Sequence, residues 1–359
     1  MAERRPRILL ASGPVGDVSP RSAAAALARG FADAAEVAVA GLAEGGRALG
    51  QALAEPDGEL EALRSGWLAR RPGLLAVGAE RDASDRDGAA ASDPLTGGSA
   101  VLGRLVAYAL QGDPGRSSGG SPASVVIDLT GPDVHDAGAG LLGALGARAD
   151  VALDAGPEPL AAITRLDLDA VRERLAGREL VGVVPPGQLD DQLLGLRGVT
   201  SRRGRALGTP AEQMLAVDAA LERFAGLAGA GQARAAGAGA AGGLGFAILA
   251  LGGRLTTGAA FCAERVGLDR GIAAADLVVT ACDSFDFGSR GGGVIADLAR
   301  RCEAAETPLL VVSPTIGMSG REMRVMGVES GHPLEGGTDT GTALTATGRR
   351  LAAGWGARW

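Results

Sequence analysis

Short uninterrupted apolar runs alternate along this chain with alanine-rich stretches of helical spacing, the pattern of an α/β protein. Arg7-Ile-Leu-Leu-Ala-Ser12 is a leading arginine followed by a buried-strand run. Beyond a Gly-Pro turn, Ser19-Pro20 supplies an N-cap and a first-turn proline for an alanine-rich helix ending near Gly30. Glu36 to Ala40 predicts the next strand, so the opening is a β-α-β unit.

From Asp57 the periodicity weakens, and Arg81 to Asp87 is polar enough for a loop. A second polar segment, Gln111 to Gly120, precedes a predicted strand at Val125 to Leu129; ordinary loops and domain linkers fit both segments equally. Asp136 to Leu145 predicts a small-residue helix, Val151 to Asp154 a strand or a turn, and Val181 to Val184 a strand ended by Pro185-Pro186. Residues 209 to 228 place charged and apolar positions at helical spacing and run into alanine and glycine from Ala228 to Gly242. A late series follows: a strand at Ala275 to Thr280, a helix from Gly293 to about Glu306, and strands at Leu309 to Ser313 and Met323 to Val328. Repeated strand and helix units with loops at strand ends describe an enzyme-like α/β protein.

At 359 residues, 46% of them hydrophobic, the chain is long enough for two domains and a core that needs no disulfide or metal. A net charge of -7 and a pI near 5.1 disfavour a general nucleic-acid binder or a polybasic membrane-surface protein, but leave room for a local basic pocket. Cys262, Cys282 and Cys302 form no C-x-x-C pair and are expected as reduced thiols. No basic-then-apolar leader opens the sequence, and Ala235 to Gly253 is mostly alanine and glycine, so a soluble cytoplasmic protein is expected. Glycine reaches 59 of 359 residues, well above the usual share of roughly 7%, so only glycines clustered at a strand-helix junction carry weight.

Three segments offer chemistry. Leu129-Thr-Gly-Pro-Asp-Val-His-Asp-Ala-Gly-Ala-Gly140 follows a strand and opens a helix, whose first backbone N–H groups suit a phosphate or carboxylate. It lacks the lysine of a P-loop, and its G-x-G-x-x-G string at Gly138 to Gly143 begins too far past the strand for a dinucleotide turn. Gly237 to Phe246 repeats that string at Gly237 to Gly242 with no strand before it; such small residues serve close packing, a linker, or a bare backbone surface against a ligand. Thr280-Ala-Cys-Asp-Ser-Phe-Asp286 sets Asp283 and Asp286 just past a buried strand, suited to Mg2+ with phosphate oxygens or to capping a turn. His135 reads as solvated or structural and His332 as part of a Ser-Gly-His-Pro turn; without H-x-x-x-H or paired cysteines they argue against zinc. Gly115 to Gly119 spells G-x-S-x-G with no strand leading into it, little support for a hydrolase elbow.

Ala236-Gly-Ala-Gly-Ala-Ala-Gly-Gly-Leu-Gly-Phe246 resembles the P-G-A-G-A-A-G-G-L-G-F segment of the bacterial glycerate kinase family, two-domain enzymes that phosphorylate D-glycerate with ATP. Leu251 to Gly258, Val266 to Asp269 and Ala274 to Thr280 continue the resemblance in order and spacing. Thr130 to Gly140 is similar to the family's G-G-S-A-T-N-D-G-G-A-G loop with Asp136 retained, Gly41 to Arg47 to P-x-A-D-G-G-E, and Asp190 to Gly195 to D-N-P-L-x-G. The departures fall on polar residues. Ala11 to Gly16 replaces A-P-D-S-F-K, and Cys282 stands at the glutamate of T-G-E-G-x-x-D, whose last aspartate is Asp286. Gly292-Gly293 replaces G-K, and Arg202-Arg203-Gly204 or a nearby register replaces Q-K-G.

The resemblance implies two α/β domains: a Rossmann-like or flavodoxin-like outer domain from residues 1–75 and 270–359, with a middle domain, 76–269, inserted, and a cleft between them. It implies ATP and Mg2+, a small hydroxy acid substrate, no nucleic acid and no membrane, with a homodimer left open. Asp286, Asp136, Arg202 and Arg203 are the implied catalytic residues, Asp136 as proton acceptor and the arginines as phosphate neutralisers. Asp283 and Asp286 are the implied Mg2+ ligands, and Gly242, Gly243, Gly245, Gly138 and Gly140 the places where backbone approaches the nucleotide. Phosphoryl transfer rests on positive charge and metal placement, so the missing lysines leave several readings open. These are an active glycerate kinase, a kinase with another acceptor, and a catalytically defective relative that binds a small anion or nucleotide or acts through a protein partner.

Overall fold

In the computed structural model the described residues are 4–80, 95–111, 124–336 and 339–355. The predicted loop at 81–87, the Gly115–Gly119 string and nearly all of the segment 111–120 lie outside them. The chain divides into two units, Met1–Glu44 with Gly258–Trp359, and Gly45–Thr257.

The first unit opens with β1 (Arg7–Ser12), α1 (Pro20–Phe31) and β2 (Glu36–Gly41), with Pro20 in the first turn of α1 behind Ser19. The second unit follows with α2 (Gly46–Ala54), β3 (Glu59–Leu63), β4 (Gly66–Arg71), β5 (Leu74–Ala79), α3 (Ala100–Gln111), β6 (Ser124–Asp128) and α4 (Ala139–Ala144). It continues through β7 (Arg148–Ala149), β8 (Leu166–Asp167), α5 (Asp169–Leu175), β9 (Glu179–Val184), α6 (Val199–Leu207), α7 (Ala211–Gly229), α8 (Ala240–Ala250) and β10 (Arg254–Thr257). The first unit then resumes with α9 (Gly258–Val266), α10 (Leu268–Ala274), β11 (Leu277–Ala281), β12 (Ser284–Phe285) and α11 (Gly292–Ala304). Its last elements are β13 (Leu309–Ser313), β14 (Thr315–Ile316), α12 (Gly320–Val325), β15 (Ser330–Pro333) and α13 (Thr340–Trp355).

The first unit holds a five-stranded sheet in the order β15-β13-β11-β1-β2, every pair parallel. Both faces of such a sheet must be covered, so its inner strands β13, β11 and β1 read as apolar runs rather than alternating ones. On one face Leu10, Val279 and Val312 pack with Leu27 and Phe31 of α1 and Leu344 and Leu351 of α13. Helices α1 and α13 approach so closely that a Cβ on Gly348 would strike the Leu27 carbonyl, and one on Gly30 would strike the α13 backbone.

The second unit holds a six-stranded sheet, β10-β9-β6-β5-β4-β3, parallel from β10 to β5 and antiparallel through β4 and β3. Its core runs from Val77, Val125 and Ile127 to Phe224 of α7 and Phe246 of α8, whose rings meet edge to face at 6.3 Å. Such a ring pair adds about 0.5–1.5 kcal/mol beyond its burial.

The boundaries between units fall at 44/45 and 257/258 rather than 75/76 and 269/270. The physical reason is pairing: β3 and β4 join the second sheet through β5, while α10 packs on β1 and α11. Two further expectations are corrected. Met323 to Val328 is not a strand; the segment from Gly320 is helix α12, started by a capping box in which Ser319 and Glu322 bond each other's backbone N–H. The strand comes afterwards as β15 and contains His332, which was expected in a turn. Val151 to Asp154 forms no strand. Among the described residues no helix is long and apolar enough to cross a membrane.

Candidate functional site

In the second unit the chemistry-bearing segments gather after the ends of β6 and β9. Asp128, the last residue of β6, is buried; its carboxylate accepts hydrogen bonds from Thr130 N at 2.9 Å, Thr130 Oγ1 at 2.7 Å and Gly46 N at 2.6 Å, at the start of α2. Burial pushes this carboxyl above the ordinary range, and those three donors oppose the shift. Asp136 is fully buried and accepts four bonds: Ser99 N at 2.7 Å, Ser99 Oγ at 2.8 Å, and Gly138 N and Gly140 N at 3.0 Å. Ser99 Oγ in turn accepts from Leu141 N, so one carboxylate ties the start of α3 to the start of α4. Here too burial raises the carboxyl and the donors hold it down. Next to it, His135 is buried with Nε2 2.9 Å from Thr200 Oγ1 of α6.

The glycine-rich segment docks against that loop. Ala241, Gly242 and Gly243 are left-handed, with φ of 49, 69 and 93°, a turn that breaks α8 near its start. Gln188 Oε1 receives Ala241 N at 2.8 Å, and the Asp191 carbonyl receives Gly239 N at 2.9 Å. A Cβ on Gly242 would fall inside the carbonyl oxygen of Val134, and one on Gly243 would lie 2.7 Å from Ala137 Cα. One on Gly245 would strike the Gly237 carbonyl, one on Gly138 the Ala247 side chain, and one on Gly140 would lie 2.5 Å from Ala100 N. At all five glycines implied as nucleotide contacts the direction a Cβ would take is therefore filled by protein, and the N–H groups of Gly138 and Gly140 are taken by Asp136. Of the purposes read from the sequence, close packing is the one these directions serve.

Both arginines are engaged as well. Arg202 forms a two-pronged pair with the nearly buried Asp191, and Arg203 donates to the Val134 carbonyl at 2.7 Å with Asp133 Oδ1 at 3.5 Å. Arg203 thus braces the same loop that Gly242 touches.

In the first unit the strand order reverses between β1 and β11, and in an open parallel sheet ligands bind outside the carboxyl ends at such a point. The loops that follow these strands are joined there by Gly16 N donating to Asp283 Oδ1 at 2.6 Å. Asp286 accepts from Ser284 Oγ at 2.5 Å and from Gly288 N and Ser289 N at 2.8 Å, and the Ser284 bond leads in lowering its pKa to about 2. Asp283 and Asp286 share one loop, but among the described residues no group of three or more His, Cys, Asp or Glu is placed to hold a metal. Cys282, at the family's glutamate position, is a free thiol pushed up to about 11 by burial. At the family's lost lysine, Glu44 fills the helix start instead: its carboxylate accepts from Gly293 N and from Val294 N at 3.3 Å. Anions are stabilised at that end of a helix, and here the chain supplies its own.

Ser284→Ala should raise the Asp286 pKa from about 2 toward the ordinary 3.8, read by carbon NMR of labelled aspartate. Because the folded value is depressed, Asp286 helps hold its loop above the ordinary pKa and stops doing so as pH falls through about 2.

Sequence reasoning passed over Ser99, Asp128, Asp191 and Thr200 as functional positions. Asp128 carried a signal, a carboxylate ending a buried strand two residues before a threonine; Ser99 lies 37 residues from Asp136 and nothing local marks the pair.

The model of the glycerate kinase family matches residues 84–353. The chain belongs to the glycerate kinase family. It is 28% identical over 231 residues to an uncharacterized protein of Mycobacterium bovis, covering 63% of this chain and 52% of that one. It is 26% identical over 247 residues to a glycerate kinase of Bacillus cereus, covering 66% and 62%. The match therefore spans 52% and 62% of the length of these relatives, less than two thirds of each. A solved structure described as glycerate kinase 2 of Salmonella typhimurium LT2 superposes with a TM-score of 0.79 over 99% of both chains at 22% identity, a likeness of fold.

Proposed function

We propose that this member of the family transfers the γ-phosphoryl group of ATP to a hydroxyl of D-glycerate. A bond from phosphorus to the new oxygen forms as the bond to the ADP oxygen breaks, and the hydroxyl proton leaves to an acceptor. The reading rests on family membership and is carried by one observation: Asp283 and Asp286 lie at the carboxyl edge where the order of parallel strands reverses. Counted over its own strands, that unit follows the flavodoxin-like order 2-1-3-4-5, which favours that name over Rossmann-like.

Mg2+ takes hard oxygen ligands, usually one or two carboxylates with phosphate oxygens and water. The carboxylates of Asp283 and Asp286 and the Ser284 hydroxyl are of that kind, so Asp283 and Asp286 would hold it, and when bound it would neutralise phosphate charge. Arg202 or Arg203 meets phosphate only by leaving its present partner, since each is already bonded. Asp136 accepts four hydrogen bonds in a fully buried position, and its role in this reading is to position the α3 and α4 starts.

A second reading, a relative that binds a small anion or nucleotide without turnover, is favoured by the two engaged arginines and by Glu44 on the start of α11. D-Glycerate-dependent ADP formation with Mg-ATP separates them. Under the first, turnover is present and Asp283→Asn lowers it by about 100-fold or more, the scale of losing one electrostatic contact to the moving phosphoryl group. ATP binding by calorimetry without turnover on any hydroxy acid supports the second.

A further inference from the structure

Between the start of α3 and the segment after α4 the second unit has a cavity of about 620 Å3, and among the described residues Arg104, Arg148 and Asp154 are its charged lining. The rest of its described wall is apolar, Ala100, Gly143 and Leu153 among it, with no aromatic ring among the described residues. Arg104 and Arg148 are exposed, and among the described residues neither side chain has an ion-pair or hydrogen-bond partner. Two arginines of the same unit are paired: Arg165 lies 3.9 Å from Asp150 and Arg172 lies 3.6 Å from Asp169. Asp150, two residues from Arg148, is bonded elsewhere. Its carboxylate accepts from Thr164 N, Thr164 Oγ1 and Arg165 N, which hold its pKa at about 2.

Two guanidinium groups on one concave wall, with Asp154 as the one carboxylate among its described lining residues, leave a net positive charge there, in a chain of net charge -7. An arriving anion offsets that charge, and guanidinium matches phosphate with paired N–H donors. Asp154 adds an acceptor on the same wall, suited to a hydroxyl of the ligand. The described lining residues offer a nucleobase no ring to stack on, and the volume exceeds what a bare phosphate needs.

We propose that this cavity binds a small phosphate monoester that carries a free hydroxyl, its phosphate on Arg104 and Arg148 and its hydroxyl on Asp154. The site shares no lining residue with the Asp136 loop. Ala100 nevertheless follows Ser99, the residue that Asp136 grips, so an occupant bears on the same junction of α3 and α4.

Calorimetric titration of the full chain with glycerol 3-phosphate, inorganic phosphate and glycerol tests this. Glycerol 3-phosphate should bind saturably and more tightly than inorganic phosphate, with glycerol silent. Arg104→Gln and Arg148→Gln should each weaken it at least about fivefold. Asp154→Asn should remove the preference over inorganic phosphate. All three residues are exposed, so the variants should keep the parent melting curve. No saturable binding below about 10 mM, or binding indifferent to both arginine variants, overturns the site; equal affinity for the two phosphates overturns the role of Asp154.

Discussion

Gly242→Ala should leave the 45–257 unit unable to close its glycine turn, a loss of more than about 4 kcal/mol, at the extreme of single substitutions. Two costs add. A left-handed residue with a Cβ costs on the order of 1–2 kcal/mol, and Gly242 has a φ of 69°. The second cost is overlap, because the new methyl would occupy the Val134 carbonyl, which Arg203 holds at 2.7 Å. Relief would require residues 134–137 to withdraw, and that pulls on His135 and Asp136, both fully buried and bonded to α6 and α3. Gly252→Ala isolates the first cost. Its φ is 78°, yet nothing lies within 4 Å of the added methyl, so it should cost only about 1 kcal/mol. Because two units need not unfold together, the check is hydrogen-deuterium exchange resolved by segment. Gly242→Ala should raise exchange across residues 134–142 and 188–193, while Gly252→Ala leaves both unchanged. Equal exchange in the two variants would show that strain rather than packing demands glycine here.

That contrast bears on how much was legible beforehand. Strands buried on both faces announce themselves as apolar runs, and β1, β6, β9, β11 and β13 all do so. The β3-β4-β5 meander does not, because β3 mixes glutamates into its leucines and β5 carries Gly78 in mid-strand. That glycine is explained only by the Trp67 ring, 2.7 Å from where a Cβ would stand. Met323 to Val328 looks like a strand by apolarity, although the capping box of Ser319 and Glu322 just ahead of it was readable. For the site, composition could say that a glycine cluster permits close approach, but not what approaches; at Gly242 and Gly243 it is the protein's own backbone. Likewise Arg202 and Arg203 were visible as charge, while Asp191 and the Val134 carbonyl, which occupy them, are brought in by the fold. Gly292-Gly293 reads as two bare glycines in the sequence, while the fold brings the Glu44 carboxylate onto that helix start.

Asp136→Ala should be the most damaging change of a charged residue in the chain. It removes the acceptor for three backbone N–H groups and one hydroxyl, all buried, without giving water a way in. Each orphaned buried donor costs about 1–3 kcal/mol, and with partial relaxation the expected loss is about 3–5 kcal/mol. Asp136→Asn divides the outcomes. Asparagine keeps one oxygen that can still accept, but turns an NH2 toward N–H donors, so the loss should be roughly half as large. If Asp136 positions the α3 and α4 starts, exchange at Ser99, Gly138 and Gly140 rises in proportion to lost stability in both variants, and turnover falls with it. If instead Asp136 takes the substrate proton, Asp136→Asn abolishes turnover while the protein remains folded and those amides stay protected. The four donors already filling its oxygens argue for the first outcome, because a carboxylate so engaged has little room left to receive a proton from a ligand.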